Sequence, residues 1–146
     1  MLRFTKFSKR KKRRDGVDWQ EASDIKKRAI KLIRTLKIGW LNTSQLHFFR
    51  SFNSTSRAYA RIWGLSKIWQ KALNVNASYI IEVLSEHYDK LPDREKDKVL
   101  LHEIAHIPKN FSGSLLPHIR RRGKRNFHER VEDLYAQYLK MSKNNR

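Results

Sequence analysis

The 146-residue chain is strongly basic, with 33 Lys and Arg against 14 Asp and Glu and a formal net charge of +19. It contains no cysteine, which excludes disulfides, a thiol nucleophile and Cys-based zinc ribbons. The length suits one domain with a hydrophobic core, and no apolar run approaches the roughly 20 residues of a membrane span. The first residues lack the apolar segment of a secretory signal, so we expect a cytoplasmic protein. Self-repulsion of this size favours a polyanionic partner, either nucleic acid or an anionic membrane surface.

The N-terminal residues 1–17 are predicted to form a basic nucleic-acid-binding arm. Repulsion among charges that no acid offsets should keep such a segment extended. Phe4 and Phe7 lie among the charges and could stack on bases. The alternative is a solvated tail without a dedicated partner. The basic residues assigned to nucleic-acid binding are Lys9, Arg10, Lys11, Lys12, Arg13 and Arg14 in the arm, and Arg120, Arg121, Arg122, Lys124 and Arg125 in a second cluster.

The first predicted element is a helix from Asp18 to Lys37, which Gly39 ends. Its apolar residues recur at three- and four-residue steps, the period of one helix face. They are Ala22, Ile25, Ala29, Leu32, Ile33 and Leu36. Aromatic and β-branched residues then predict strands over residues 46–52, 57–63 and 77–84, with a short helix or irregular connection at 66–73.

Two more helices complete the predicted fold. Pro92 and Asp93 open the first, and Pro108 ends it. The second covers residues 127–141, and its predicted buried side consists of Val131, Leu134, Tyr135, Tyr138 and Leu139. The sequence therefore predicts an α+β domain over residues 18–141. It has an N-terminal helix, a small, mostly antiparallel sheet of about three strands and two later helices, and a basic tail follows at 142–146.

The most informative stretch is residues 99–108, an apolar run that contains the pattern His-Glu-x-x-His. His102 and His106 are four residues apart, so on a helix their imidazoles project from one face toward one metal ion. Glu103 is placed to act on a water that the metal activates, not to bind the metal. This pattern is typical of zinc hydrolases, in which Zn²⁺ acidifies the water and the carboxylate is the catalytic general base.

A catalytic zinc usually has three protein ligands and one open position, so a third ligand is required. His118 is the first candidate, because a loop that contains Gly113 and Pro117 could fold it back over the helix. An alternative role for His118 is contact with RNA beside residues 120–122. The other candidate ligands are His128, and then Glu132 or Asp133 on the last helix.

At these residues the sequence resembles a family of small archaeal and phage metallopeptidases regarded as minimal zincins. The resemblance covers roughly residues 18–140 and implies that His102, His106 and His118 bind zinc and that Glu103 is the general base. More distantly, the sequence is similar to SprT/Spartan-type proteases, which combine a small zincin with DNA binding. The segments that carry the resemblance are 50–51, 60–65, 79–83, 102–109, 111–113 and 117–118.

Two functional hypotheses follow. The first is a zinc-dependent metallopeptidase in which the strand at 79–84 pairs with an extended peptide or protein substrate. Tyr135, Tyr138 or an Arg of residues 120–125 could stabilise the oxyanion. The second is a ribosome-associated RNA-binding protein that uses a zincin-like scaffold with zinc structural or absent and without catalysis; ribosomal RNA is the expected partner and DNA the alternative. The two hypotheses are compatible.

Overall fold

A computed structural model describes residues 16–118 and 126–144. In chain order the elements are β1 (Asp18–Glu21), α1 (Ser23–Thr35), a 3₁₀ turn (Thr43–Gln45), β2 (Leu46–Phe52), β3 (Ala60–Gly64), α2 (Lys67–Leu73), β4 (Tyr79–Leu84), α3 (Ser85–Tyr88), α4 (Asp93–Ala105) and α5 (Phe127–Asn144). The predicted α+β class is confirmed. The basic residues of the predicted arm, and those of the cluster at 120–125, lie outside the described residues.

The four strands form one mixed sheet in the order β1-β2-β4-β3. β1 pairs antiparallel with β2, and β3 pairs antiparallel with β4. The central pair, β2 and β4, is parallel. The predicted mostly antiparallel character is therefore confirmed, and the sheet has four strands where about three were expected. Because β4 is hydrogen-bonded on both sides, the prediction that it pairs with a substrate is wrong.

The hydrophobic core lies between one face of this sheet and the helices α1, α4 and α5. Alternate residues of the strands point into it, and α1 and α4 each present an apolar side to it. Fully burying a valine, leucine or isoleucine side chain contributes about 1.5–3 kcal/mol of transfer free energy. The fully or almost fully buried members include Ile25, Ala29, Leu32, Tyr79, Ile81, Val83, Leu100, Leu101 and Ile104.

The first predicted helix begins later than expected. Residues Asp18–Glu21 are a strand, and α1 starts only at Ser23. The apolar helical period itself begins at Ala22, so Asp18–Glu21 gain more from a hydrogen-bonded ladder with Phe49–Phe52. The helix also ends at Thr35, before Gly39, and Lys37 adopts a left-handed φ of 54°.

The later elements also differ in detail from the prediction. The segment at 67–73 is a helix, and α3, which was not predicted, directly follows β4. On α5, Val131, Tyr135 and Tyr138 are buried, but Leu139 is 44 % exposed, so its predicted burial is wrong. α5 extends to Asn144. Among the described residues, no helix is long and apolar enough to cross a membrane.

Two arginines connect the elements at the edge of the core. Arg50 of β2 donates to the Asp24 carboxylate on α1 at 2.8 and 3.0 Å and to Asp89 after α3 at 3.1 Å. Arg28 of α1 donates to Asp97 and Asp93 of α4, each at 2.9 Å. The Arg28 bonds fix the start of α4 against α1, and the His-Glu-x-x-His pattern lies at the far end of α4.

Candidate metal centre and cleft

The histidine pattern occupies the last turn of α4. Leu100, Leu101 and Ile104 bury the helix against the sheet, and this packing orients the turn. His102 and Glu103 lie within the helix, and His106 is its C-terminal cap, because the helix ends at Ala105. The prediction that Pro108 ends the helix thus holds to within three residues, and the pattern lies at the helix end and not in its middle.

His118 lies against these two histidines. His102 Nε2 is 2.9 Å from His118 Nε2 and 3.4 Å from His106 Nε2. One nitrogen from each of the three rings falls within 4.8 Å of the others, an arrangement that could hold a metal ion. His118 comes from the loop after α4, twelve residues past His106.

The backbone of that loop orients the His106 ring. His106 Nδ1 lies 2.6 Å from the Leu116 carbonyl oxygen, and the Leu116 amide donates to the His106 carbonyl at 2.7 Å. A carbonyl can only accept, so Nδ1 carries the proton and Nε2 keeps a free lone pair. Such a bond fixes the tautomer that binds metal through Nε2.

Tyr79 of β4 holds the start of the loop. Its hydroxyl donates to the Ser114 carbonyl and accepts from the Gly113 amide, each at 2.8 Å. Gly113 has φ +94°, and a Cβ there would overlap the Leu65 carbonyl oxygen, so only glycine fits. Gln70 of α2 donates to the carbonyl oxygens of Leu65 and Ser112 at 2.7 and 2.9 Å. The sheet and α2 therefore position the segment that leads to His118.

Phe127, the first residue of α5, covers the histidines. Its ring stacks on His106 with the centroids 4.4 Å apart and lies 5.6 Å from His102 and 5.0 Å from His118. The Phe127 side chain is buried. It therefore forms an apolar wall that restricts the positions of all three imidazoles.

Burial shifts the ionisation of the motif residues. It lowers the pKa of His102 from 6.5 to about 4, and repulsion from His106, His118 and His128 adds to this effect. Burial also lowers the pKa of His106. The neutral imidazole is the form that binds metal. Burial raises the pKa of Glu103 from 4.5 to about 7, so the apolar surroundings favour its protonated form.

A cleft of about 320 Å³ opens beside His102 and Glu103. The start of β3 forms one wall, and α4 and α5 form the others. Inside the cleft, Lys98 and Glu132 form an ion pair at 2.8 Å. The lining residues are Tyr59, Ala60, Glu95, Lys98, Val99, His102, Glu103, His128, Val131 and Glu132.

The other residues considered from the sequence have different positions. His128 and Glu132 line the cleft, and Asp133 is half-buried on α5. Tyr135 packs under the ammonium of Lys98, with 5.5 Å from Nζ to the ring centre. Tyr138 lines a separate cleft with Asp24 and Asp97, so the structure does not bring it to the histidines.

Three contributors to the centre escaped the sequence interpretation. Phe127 was assigned only a helix start, although an aromatic residue at the first position of an amphipathic helix is a usable sign of a buried contact. The Leu116 carbonyl contacts His106, which is 10 residues away in sequence. The Tyr79 hydroxyl contacts Gly113 and Ser114, which are 34 and 35 residues away. Side-chain periodicity carries no signal for contacts of that kind.

A family model described as "Putative phage metallopeptidase" matches residues 17–141, most of the chain. The chain belongs to this metallopeptidase family. The matched segment contains the three histidines, the loop that joins them and the whole described sheet. Searches of curated proteins and of solved structures found no match.

Proposed function

We propose that the protein is a zinc-dependent peptidase in which His102, His106 and His118 bind the metal and Glu103 is the general base. One observation carries the proposal: three imidazole nitrogens converge within 4.8 Å beside a buried carboxylate, in a chain of a metallopeptidase family. Peptides or proteins are the substrates that this family membership favours.

The donor set fits zinc. Zinc bonds of about 2.0–2.1 Å in tetrahedral geometry separate two ligand nitrogens by about 3.3 Å. The two closest His–His separations, 2.9 and 3.4 Å, lie on either side of this value, and all three nitrogens fall within 4.8 Å of one another. Three neutral imidazoles also leave a fourth position free, the arrangement of catalytic and not structural zinc sites. A zinc ion bound there would supply Lewis acidity, which polarises the scissile carbonyl and acidifies water.

Glu103 is positioned to move protons. It follows the first histidine, is buried and faces the cleft. We propose that its carboxylate takes a proton from the attacking water and then gives it to the leaving amine. His128, at the same cleft, is our candidate for stabilising the negative charge that develops on the carbonyl oxygen.

An exposed strand edge next to the cleft suggests how a substrate binds. Among the described strands, β3 pairs only with β4, so its other edge has unpaired backbone groups. Tyr59 and Ala60, at the start of β3, line the cleft together with His102 and Glu103. We propose that an extended peptide adds to this edge as a further strand, which brings its backbone to the histidines.

The test is Glu103→Gln, which keeps shape and polarity but cannot accept a proton. We expect this variant to bind one zinc like the parent and to lose at least about 100-fold in cleavage of an unfolded substrate such as casein. Glu129→Gln on the exposed side of α5 is the matched control and should cleave normally. If Glu103→Gln cleaves casein as fast as the parent, the assigned mechanism is wrong.

A second candidate function, RNA binding in the cytoplasm, rests on the formal net charge of +19. We propose that the arm and the cluster at 120–125 contact phosphates, ribosomal RNA being the expected partner and DNA the alternative. Several phosphate contacts imply affinity that falls steeply as salt rises. Co-sedimentation with ribosomes at low salt that falls steeply as salt is raised, without any peptidase activity, would favour this function over the enzyme.

A further inference from the structure

The face of the sheet opposite the core carries an aromatic surface, which we call the open face. The register of the strands puts its members on one side of the sheet. Residues directly opposite each other on paired strands point to the same side, and so do residues two apart on one strand. Trp19 lies opposite Ser51, Phe49 opposite Glu82, and Trp63 opposite Ile80. The open face comprises Trp19, Phe49, Trp63, Ile80 and Glu82, which together line an apolar groove of about 250 Å³.

No described helix covers this groove. Trp19 is 55 % exposed, Trp63 is 48 % exposed and Ile80 is 37 % exposed. Burying aromatic residues of this size is strongly favourable, and contiguous exposed apolar groups mark interaction sites. The open face lies on the opposite side of the sheet from the core that supports the histidines, so the peptidase mechanism does not use it.

A hydrogen bond and an ion pair fix part of the groove. The Trp63 indole N–H donates to Glu82 Oε1 at 3.0 Å, and Arg61 Nε lies 3.5 Å from the same oxygen. Glu82 is buried, and these two contacts offset its charge. Trp63 has thus used its only donor, and what it offers a ligand is the flat face of its ring.

This arrangement suits unpaired nucleobases. Three rings lie on three different strands of a four-stranded sheet, and strands about 4.8 Å apart space them across the surface. Aromatic side chains on such a sheet can stack two or three unpaired bases. Base stacking on aromatic rings tolerates any sequence, since every base has a π-face.

Charge supports the same occupant. The chain enters β1 directly from the basic segment at residues 1–14. Arg14 precedes Trp19 by five residues in the sequence, and five residues of fully extended chain span at most about 18 Å. Phosphates of a strand stacked on the open face would thus be within reach of the arm. A second copy of this chain would instead bring another +19 charges to the face.

We infer that the open face is a binding surface for single-stranded nucleic acid, whose bases stack on Trp19, Phe49 and Trp63. Duplex nucleic acid keeps its bases stacked on one another and cannot use these rings. The inference rests on the polyanion-binding function proposed above and adds the surface and the single-stranded form of the ligand.

The experiment measures affinity of the full chain for an oligouridylate of about ten nucleotides, with tryptophan fluorescence as the readout. Trp19→Leu keeps apolar bulk and removes the ring, and should weaken binding between about fivefold and about 100-fold. Trp19→Phe keeps a ring and should restore most of the affinity. Trp69→Leu on α2, an exposed tryptophan outside the groove, should bind like the parent. Binding to duplex RNA should be the same for all four proteins.

The outcomes separate the two proposals. If the parent binds neither oligouridylate nor duplex RNA, both the polyanion-binding function and the open-face inference are wrong. If the parent binds both, and Trp19→Leu loses nothing, the inference alone is wrong. Sedimentation that shows a dimer dissolved by Trp19→Leu, without oligouridylate binding, would also overturn it, because the face would then be a contact between copies. Photocrosslinks from halogenated uridine to Trp19, Phe49 or Trp63 would support it.

Discussion

At the residue scale, contacts from outside α4 orient the three imidazoles. Leu116 fixes the tautomer of His106, and Phe127 restricts all three rings. His118 depends on a loop whose start is bonded to Tyr79 in the sheet. The candidate metal centre therefore depends on contacts among α4, β4, α5 and the loop.

Tyr79→Phe tests that dependence. The substitution keeps the ring that packs on Phe111 but removes two hydrogen bonds to the loop. We expect the free energy of unfolding to fall by about 1–2 kcal/mol and zinc affinity to fall about tenfold, as measured by urea unfolding and competition with a chelator.

Tyr88→Phe is the matched control for this change. Tyr88 is equally buried, and its hydroxyl donates to the Lys96 carbonyl at 3.4 Å, away from the loop. This control should keep zinc affinity, whatever its effect on the free energy of unfolding. Parental zinc affinity in Tyr79→Phe would show that the loop does not need the tyrosine.

At the element scale, Arg50 joins α1, β2 and the end of α3. Its guanidinium lowers the pKa of Asp24 below the ordinary 3.8. Because the folded state lowers this pKa, the Asp24–Arg50 pair stabilises the protein above pH 3.8. That contribution is lost as pH falls through the lowered folded-state pKa.

Asp24→Asn should therefore flatten the acid side of the stability curve. The Asp24 side chain is 64 % exposed, so solvent screens the pair and the loss at neutral pH should be about 0.5–1 kcal/mol. Urea unfolding between about pH 2 and pH 4 measures the slope. Arg50→Lys, which keeps the charge but cannot form the paired bonds, should lose part of the same pH dependence. A parental slope in Asp24→Asn would contradict the assignment.

At the scale of the whole molecule, the elements that could be predicted from the sequence are those that a local pattern of residue types or spacings marks. β-branched and aromatic residues marked β2 and β4, and a four-residue spacing marked one face of α4 for His102 and His106. Residues Asp18–Glu21 form a strand because they pair with β2, about 30 residues away in sequence. Their own polar side chains give little indication of a strand. Strand order escaped prediction for the same reason, which is why β4 was mistaken for a substrate-binding edge.

The position of His118 was inferred correctly as a nearby loop residue, but its ligand role is still a proposal. Gly113 was recognised as a loop residue, and its need for a positive φ against the Leu65 carbonyl became visible only in three dimensions. The charge distribution was fully readable from sequence, but the aromatic open face was not. Its rings come from three strands that only the sheet brings together.

The most direct test of the central claim is X-ray absorption at the zinc edge of the zinc-loaded protein. We predict one zinc per chain with three imidazole nitrogens and one oxygen at about 2.0–2.1 Å. His118→Ala should show two imidazoles, and His128→Ala should keep three. An oxygen-only shell in the parent, or three imidazoles remaining in His118→Ala, would contradict the assignment of His102, His106 and His118 as the zinc ligands.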